Sequence, residues 1–243
     1  VKEAVYSANH PEVLKWTKFF HDRTIQRDIF SAMSEIDPSP EKASVVSVQW
    51  HRFSEFMPAF LCQAAAMVTT NEKRHYVIQT AFEELGMRDV HEIHPDMFWA
   101  AAATAGASDA DRMRMRGPGP VQSVLDDLWR SLVSFKSDSE VLGILLGLEI
   151  PAEENIEMIF TSLGYAEPVR TELAKTKFFA LHRAIEIEHV RLTVSNFLRF
   201  SSNEEQRAQF VLGFDAGLDF WKRYWSAVSE AVACEVRSEV AHA

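Results

Sequence analysis

Apolar and polar positions follow one another at helical spacing through most of this chain, in stretches that neither glycine nor proline interrupts. Such stretches run from Glu12 to Asp37, Ala59 to Leu85, Val121 to Leu142, Val169 to Leu212 and Leu218 to Ala243. The run 169–212 is hard to fold as anything but helix, because turns and strand ends draw on the two missing residues. The last stretch carries Phe220, Trp221, Tyr224 and Trp225. That aromatic face can pack within the chain or on a second copy in a homodimer, and packing within the chain is the default.

The punctuation between the stretches predicts the elements. A first helix begins at Pro11, a favourable first-turn residue, and closes before Asp37-Pro38-Ser39-Pro40. A second runs from Lys42 to Thr69 with Pro58 as a kink. A third spans Glu72 to Gly86, and a fourth starts at His94-Pro95 and stops at Gly106. Residues 107–120 (ASDADRMRMRGPGP) read as a solvated loop. Helices follow over Val121–Phe135, Ser139–Glu149, Pro151–Leu163 and Pro168–Phe200, and Ser202-Asn203-Glu204-Glu205 supplies the cap of the last. With no internal repeat and no long linker, the prediction is one all-α domain over residues 1–243, built from roughly seven to nine helices.

Composition narrows the function classes. Nine glycines and nine prolines in 243 residues are far below the roughly 12% of ordinary soluble chains, which argues against a turn-rich β fold. At 47% hydrophobic and 25% charged residues, the chain can bury a core. A net charge of −10 disfavours nucleic acid as a partner, through repulsion from phosphates. No apolar run reaches the roughly 20 residues of a membrane span, so no membrane partner is expected. The two cysteines, Cys62 and Cys234, make no disulfide framework, and the expected setting is a reducing cytoplasm.

Candidate chemistry is concentrated in three places. In Phe178-Phe179-Ala180-Leu181-His182-Arg183-Ala184-Ile185-Glu186-Ile187-Glu188-His189, the residues His182, Glu186 and His189 fall within about 60° of one another on a helix. That pattern suits a metal site or a buried polar network. The joint between the third and fourth helices carries Glu84 at one end and His94-Pro95 at the other, with His91 as an alternative to His94. Glu149 ends the apolar run Leu145-Leu146-Gly147-Leu148. Exposed, it costs nothing; buried, it must be paired or metal-bound. Together these Glu and His residues form a donor set suited to iron or manganese, of the kind that helix bundles direct inward to hold two metal ions.

The ordered set Glu84, His94-Pro95, Leu148-Glu149 and Phe178-Phe179-x-x-His182-x-x-x-Glu186-x-x-His189 resembles the haem-oxygenase-like di-iron oxidases and oxygenases, in their CADD-like, iron-containing branch. That superfamily shares its helical fold with thiaminase II and pyrroloquinoline-quinone synthase. The resemblance covers residues 58–200. It implies two iron ions, with manganese as the alternative, ligated by Glu84, His94, Glu149, His182, Glu186 and His189. It also implies dioxygen as co-substrate, a small-molecule substrate such as an amine or amino acid, and room for an external electron donor. Two departures stand out: Glu186 occupies a position usually held by Asp, and Ile159 stands where the para-aminobenzoate-synthase branch has a Lys. A substrate wall is expected from Phe53, Phe56, Phe60, Phe98 and Trp99, residues that at helical spacing equally serve as core filling. The alternatives are metal-free catalysis of the thiaminase II or pyrroloquinoline-quinone-synthase kind, with Cys62 as nucleophile in the thiaminase case, or a helical interaction protein without catalysis.

Overall fold

The computed structural model describes residues 10–34, 36–115 and 119–242, apart from the side chains at 183–189, 191–192, 236 and 238–242. Among the described residues the regular structure is entirely helical: α1 (Pro11–Arg27), α2 (Pro40–Met67), α3 (Asn71–Glu84), α4 (His94–Thr104), α5 (Asp109–Arg114), α6 (Pro120–Ser134), α7 (Asp138–Glu149), α8 (Ala152–Leu163), α9 (Glu167–Leu173), α10 (Lys177–Phe200) and α11 (Glu204–His242), with short 3-10 turns at Ser31–Met33 and Val90–Glu92.

Local chemistry explains most of these boundaries. Proline stands in the first turn of α1, α2, α4, α6 and α9, where its missing N–H costs nothing. The Ser39 and Thr70 hydroxyls accept from the backbone N–H groups of Lys42 and Lys73. Ser137 and Glu140 form a reciprocal capping box at α7, and Asn203 accepts from the Gln206 N–H to open α11. Each such cap satisfies an otherwise orphaned donor. Pro58 lies inside α2, and the helix continues through it.

Two expectations need correction. Residues 107–120 are not all loop: α5 forms there because Ser108 and Asp111 make a second capping box. The stretch 168–200 is not one helix but two. Between α9 and α10 the Thr176 hydroxyl donates to the Leu173 carbonyl at 2.7 Å, and such a local bond competes with helix continuation.

The joint between α3 and α4 is shaped by Gly86, whose φ of +78° is a left-handed conformation that glycine adopts without a Cβ penalty. The Gly86 N–H donates to Glu83 at 2.9 Å and the Met87 N–H to Phe82 at 2.8 Å. This pair of bonds is the Schellman pattern that closes a helix. It makes Glu84 the last residue of α3 and turns the chain toward His94.

At the centre, α7 lies against α11 with almost no side chain between them. A Cβ at Gly143 would stand 2.2 Å from the Phe210 carbonyl oxygen, one at Gly147 2.4 Å from that of Phe214, and one at Gly213 2.1 Å from that of Glu140. A Cβ at Gly217 would stand 2.8 Å from the backbone of Gly147. Two pairs of glycines, each spaced four residues apart, thus let two backbones touch. The aromatic face of α11 turns inward: Phe220, Trp221, Tyr224 and Trp225 are all buried within the chain. No described helix is long and apolar enough to cross a membrane.

The glycine contact generates a stability prediction. Gly147→Ala forces a methyl group against the Phe214 carbonyl and should cost about 1–3 kcal/mol, the usual penalty of overpacking. Leu212→Ala on the facing helix α11, at a side chain 60% exposed, should change stability by less than about 0.5 kcal/mol. Urea denaturation of the two variants checks this; equal stabilities would show that the helices can separate at no cost.

Candidate functional site

A cavity of about 120 Å³ opens between α2, α8 and the ends of α3, α4, α7 and α10, and Glu84, His94, Glu149 and His182 all contribute to its wall. A second lobe of about 90 Å³ shares Glu84, His94 and Glu149 with it and extends to Tyr76 and Thr193. The four ionisable side chains reach this place by different routes. Glu84 is set by the glycine turn at the end of α3, and His94 opens α4 just before Pro95. Glu149 is the final residue of α7, and His182 lies in the second turn of α10.

Their hydrogen bonds define their states. His182 Nδ1 lies 2.8 Å from the Phe178 carbonyl oxygen. A carbonyl only accepts, so Nδ1 carries a proton; in the neutral ring Nε2 then holds the lone pair. Metal-binding histidines are commonly oriented this way. His94 Nδ1 lies 3.3 Å from Glu84 Oε2, and the rings of His94 and His182 meet edge to face with centroids 4.9 Å apart. Phe178 supports His182 from below at 4.2 Å.

The electrostatics follow from crowding of charge away from water. Burial, and then the nearby carboxylates of Glu84 and Glu83, push the Glu149 carboxyl up to about 7, against a smaller opposing pull from His94. Burial works against the charged form of His94, but the hydrogen bond and charge of Glu84 outweigh it and raise its pKa above the ordinary value. Burial likewise raises the Tyr76 hydroxyl, which donates to Thr193 Oγ1 at 3.1 Å.

The remaining candidates distribute unevenly. His91 is exposed on the outer 3-10 turn, while His94 faces the cavity. The side chains of Glu186 and His189 lie outside the described residues. Among the described residues no three His, Cys, Asp or Glu side chains stand close enough together to hold a metal ion. Of the aromatic wall, Phe53 lines the cavity. Phe56 and Phe60 pack on Trp129 instead, and Phe98 packs on Trp50 and Phe178. Trp99 meets His51 and lies under Arg112. Ile159 is core. Cys62 and Cys234 are both exposed, and neither lines the cavity.

Several wall residues carry no motif and escape a reading by spacing: Trp50, Ser54, Asn155 and Trp221. Asn155 had a faint signal, a lone amide on a helix face otherwise made of Ile156, Ile159 and Phe160. The donor set nonetheless fits a transition metal. It combines hard carboxylates with imidazole nitrogens, and a concentration of acid groups that a cation would relieve.

Comparison with known proteins agrees with this composition. The model of a family described as iron-containing redox enzymes matches residues 46–222. A CADD-like protein of unknown function from Nostoc punctiforme superposes with a TM-score of 0.66 at 17% identity, covering 89% of this chain and 98% of that one. A TenA homolog from Pseudomonas syringae pv. tomato gives 0.63 at 12% identity, covering 95% and 98%. No curated protein matches the chain.

The raised Glu149 carboxyl gives the metal-free protein a defined pH dependence. A carboxyl that holds its proton to about 7 when folded, against an ordinary 4.5, favours the fold below 4.5 and loses that advantage as pH rises to 7. Glu149→Gln removes this loss. The metal-free variant should match wild type near pH 4.5 and exceed it by up to about 3 kcal/mol above pH 7. Denaturation curves across that range test it, and a gap independent of pH would contradict it.

Proposed function

The chain belongs to the family of iron-containing redox enzymes, and from that membership we propose that it is a non-haem di-iron oxidase or oxygenase acting on a small molecule such as an amine or amino acid. The observation that carries this reading is the convergence of two carboxylates and two imidazoles, from α3, α4, α7 and α10, on one largely buried cavity. Glu84, His94, Glu149 and His182 would hold the metal together with Glu186 and His189 of the same α10, with manganese as the alternative ion. Bound iron would supply the electrons that activate dioxygen.

The protein's own groups have separate tasks. The Phe178 carbonyl holds His182 in the tautomer that presents Nε2 as a ligand. Glu149, whose carboxyl keeps its proton up to about 7, can release that proton as a cation arrives. Glu84 and His94, paired at 3.3 Å, would serve as metal ligands in place of their mutual contact. Trp50, Phe53, Phe178 and Trp221 shield the substrate from bulk water, which strengthens the electrostatic interactions within the cavity. Besides the substrate, an external electron donor is the partner this chemistry calls for.

Anaerobic loading with Fe(II) is expected to give about two iron ions per chain and oxygen uptake on exposure to air. Glu149→Ala and His182→Ala should each lower bound iron to about one ion or fewer while leaving the helical circular dichroism intact. Wild-type uptake near zero, or full uptake by both variants, would contradict the proposal.

A further inference from the structure

The cavity wall carries a second set of polar groups, besides the carboxylates and imidazoles, that the metal does not account for. Asn155, on α8, is 1% exposed and forms part of the cavity wall. The Trp225 indole N–H donates to its Oδ1 at 2.8 Å. An indole nitrogen can only donate, so this bond fixes the amide with its Nδ2 donor on the other side. Nδ2 has no hydrogen-bond partner among the described residues. The same holds for the indole Nε1 of Trp50, a cavity residue 6% exposed. Trp50 stacks on Trp225 with centroids 5.9 Å apart, so Trp50 and Asn155 both adjoin the same indole. A buried donor left without a partner costs roughly 1–3 kcal/mol, and the fold tolerates two here.

Shape and charge restrict what would answer them. The main lobe, about 120 Å³, approaches the roughly 150 Å³ that accepts benzene, and its adjoining lobe of about 90 Å³ leaves space for a substituent. Its apolar walls are largely aromatic rings. Among the described residues no Lys or Arg lines either lobe; His94 and any bound iron belong to the carboxylate cluster, so an anionic group beside Asn155 would be buried without a cation of its own and heavily penalised.

We propose that Asn155, with Trp50, forms the substrate-docking corner of this cavity, and that the substrate is a flat, single-ring-sized molecule presenting an uncharged oxygen or nitrogen acceptor to Asn155 Nδ2 and Trp50 Nε1. This rests on the proposed oxidase reading for the identity of the cavity, but the docking corner is a property of the polypeptide alone. Its oxidised position would be the end that faces Glu149 and His182.

The test uses metal-free protein and three probes of similar size: acetophenone, ethylbenzene and benzoate, with binding followed by tryptophan fluorescence. Acetophenone should bind at least about tenfold more tightly than ethylbenzene or benzoate, the difference expected of a well-made hydrogen bond. Asn155→Asp keeps an acceptor for Trp225 but replaces the donor, and Trp50→Phe keeps a ring without its N–H. Each variant, its fold checked by circular dichroism, should lose about tenfold in acetophenone affinity and retain that for ethylbenzene. Equal binding of acetophenone and ethylbenzene in wild type, or no loss in either variant, would overturn the docking corner. Tighter binding of benzoate would overturn the uncharged acceptor. Selective acetophenone binding by a protein that takes up no iron would sink the oxidase reading and leave the corner standing.

Discussion

The backbone contact between α7 and α11 is the constraint on which the rest of the site depends. Gly143 and Gly147 meet Gly213 and Gly217 with no room for a methyl group between them, so α7 is drawn into the centre and buried on nearly every side. Its terminal residue, Glu149, is thereby carried to a place where a carboxylate is costly. Beyond the glycines the same stripe of α11 continues at four-residue spacing as Trp221 and Trp225. Trp221 donates to the Leu148 carbonyl at 3.2 Å and Trp225 to Asn155 at 2.8 Å. One line of residues along one helix therefore fixes the end of α7, the start of α8 and the orientation of the Asn155 amide.

Around that axis the other three elements of the site are placed by local chemistry. The left-handed Gly86 stops α3 at Glu84, and its Cβ-free position admits the Asp89 carbonyl, which would stand 2.4 Å from an added methyl. Pro95 starts α4 beside His94. The Thr176 break starts α10 afresh, two turns of helix before His182 is fastened to the Phe178 carbonyl. Each ionisable group sits within a residue or two of a helix end or at a backbone bond that limits its movement. Rigid placement of this kind is what a metal ligand set or a catalytic proton donor requires.

Much of this was legible in the chain. Gly and Pro positions marked most joints because each acts through its own backbone geometry, which neighbours cannot easily override. The pattern at His182 and the joint between Glu84 and His94 could be read because helical spacing converts directly into direction. Three features could not be read that way. The cap of α5 uses Asp111 where Glu is the commoner partner, so Ser108 looked like loop. The break at Thr176 depends on a side-chain bond that competes only weakly with the helix. The four packing glycines look, in sequence, like weak points of helices; their role depends on a partner helix about seventy residues away. Among the aromatic candidates, spacing could not separate Phe53, which faces the cavity, from Phe60 and Phe98, which fill the core. Both kinds occupy the same apolar face, and only the position of the neighbouring helices tells them apart.

On the proposed reading, the cavity bounded by Glu84, His94, Glu149 and His182 is where the chain would hold iron. Anomalous diffraction at the iron edge, from crystals loaded with Fe(II) without oxygen, tests it most directly. The expected result is anomalous density within the cavity, against Glu149 and the Nε2 side of His182. Density confined to the surface, or none in the cavity of fully loaded crystals, would contradict it.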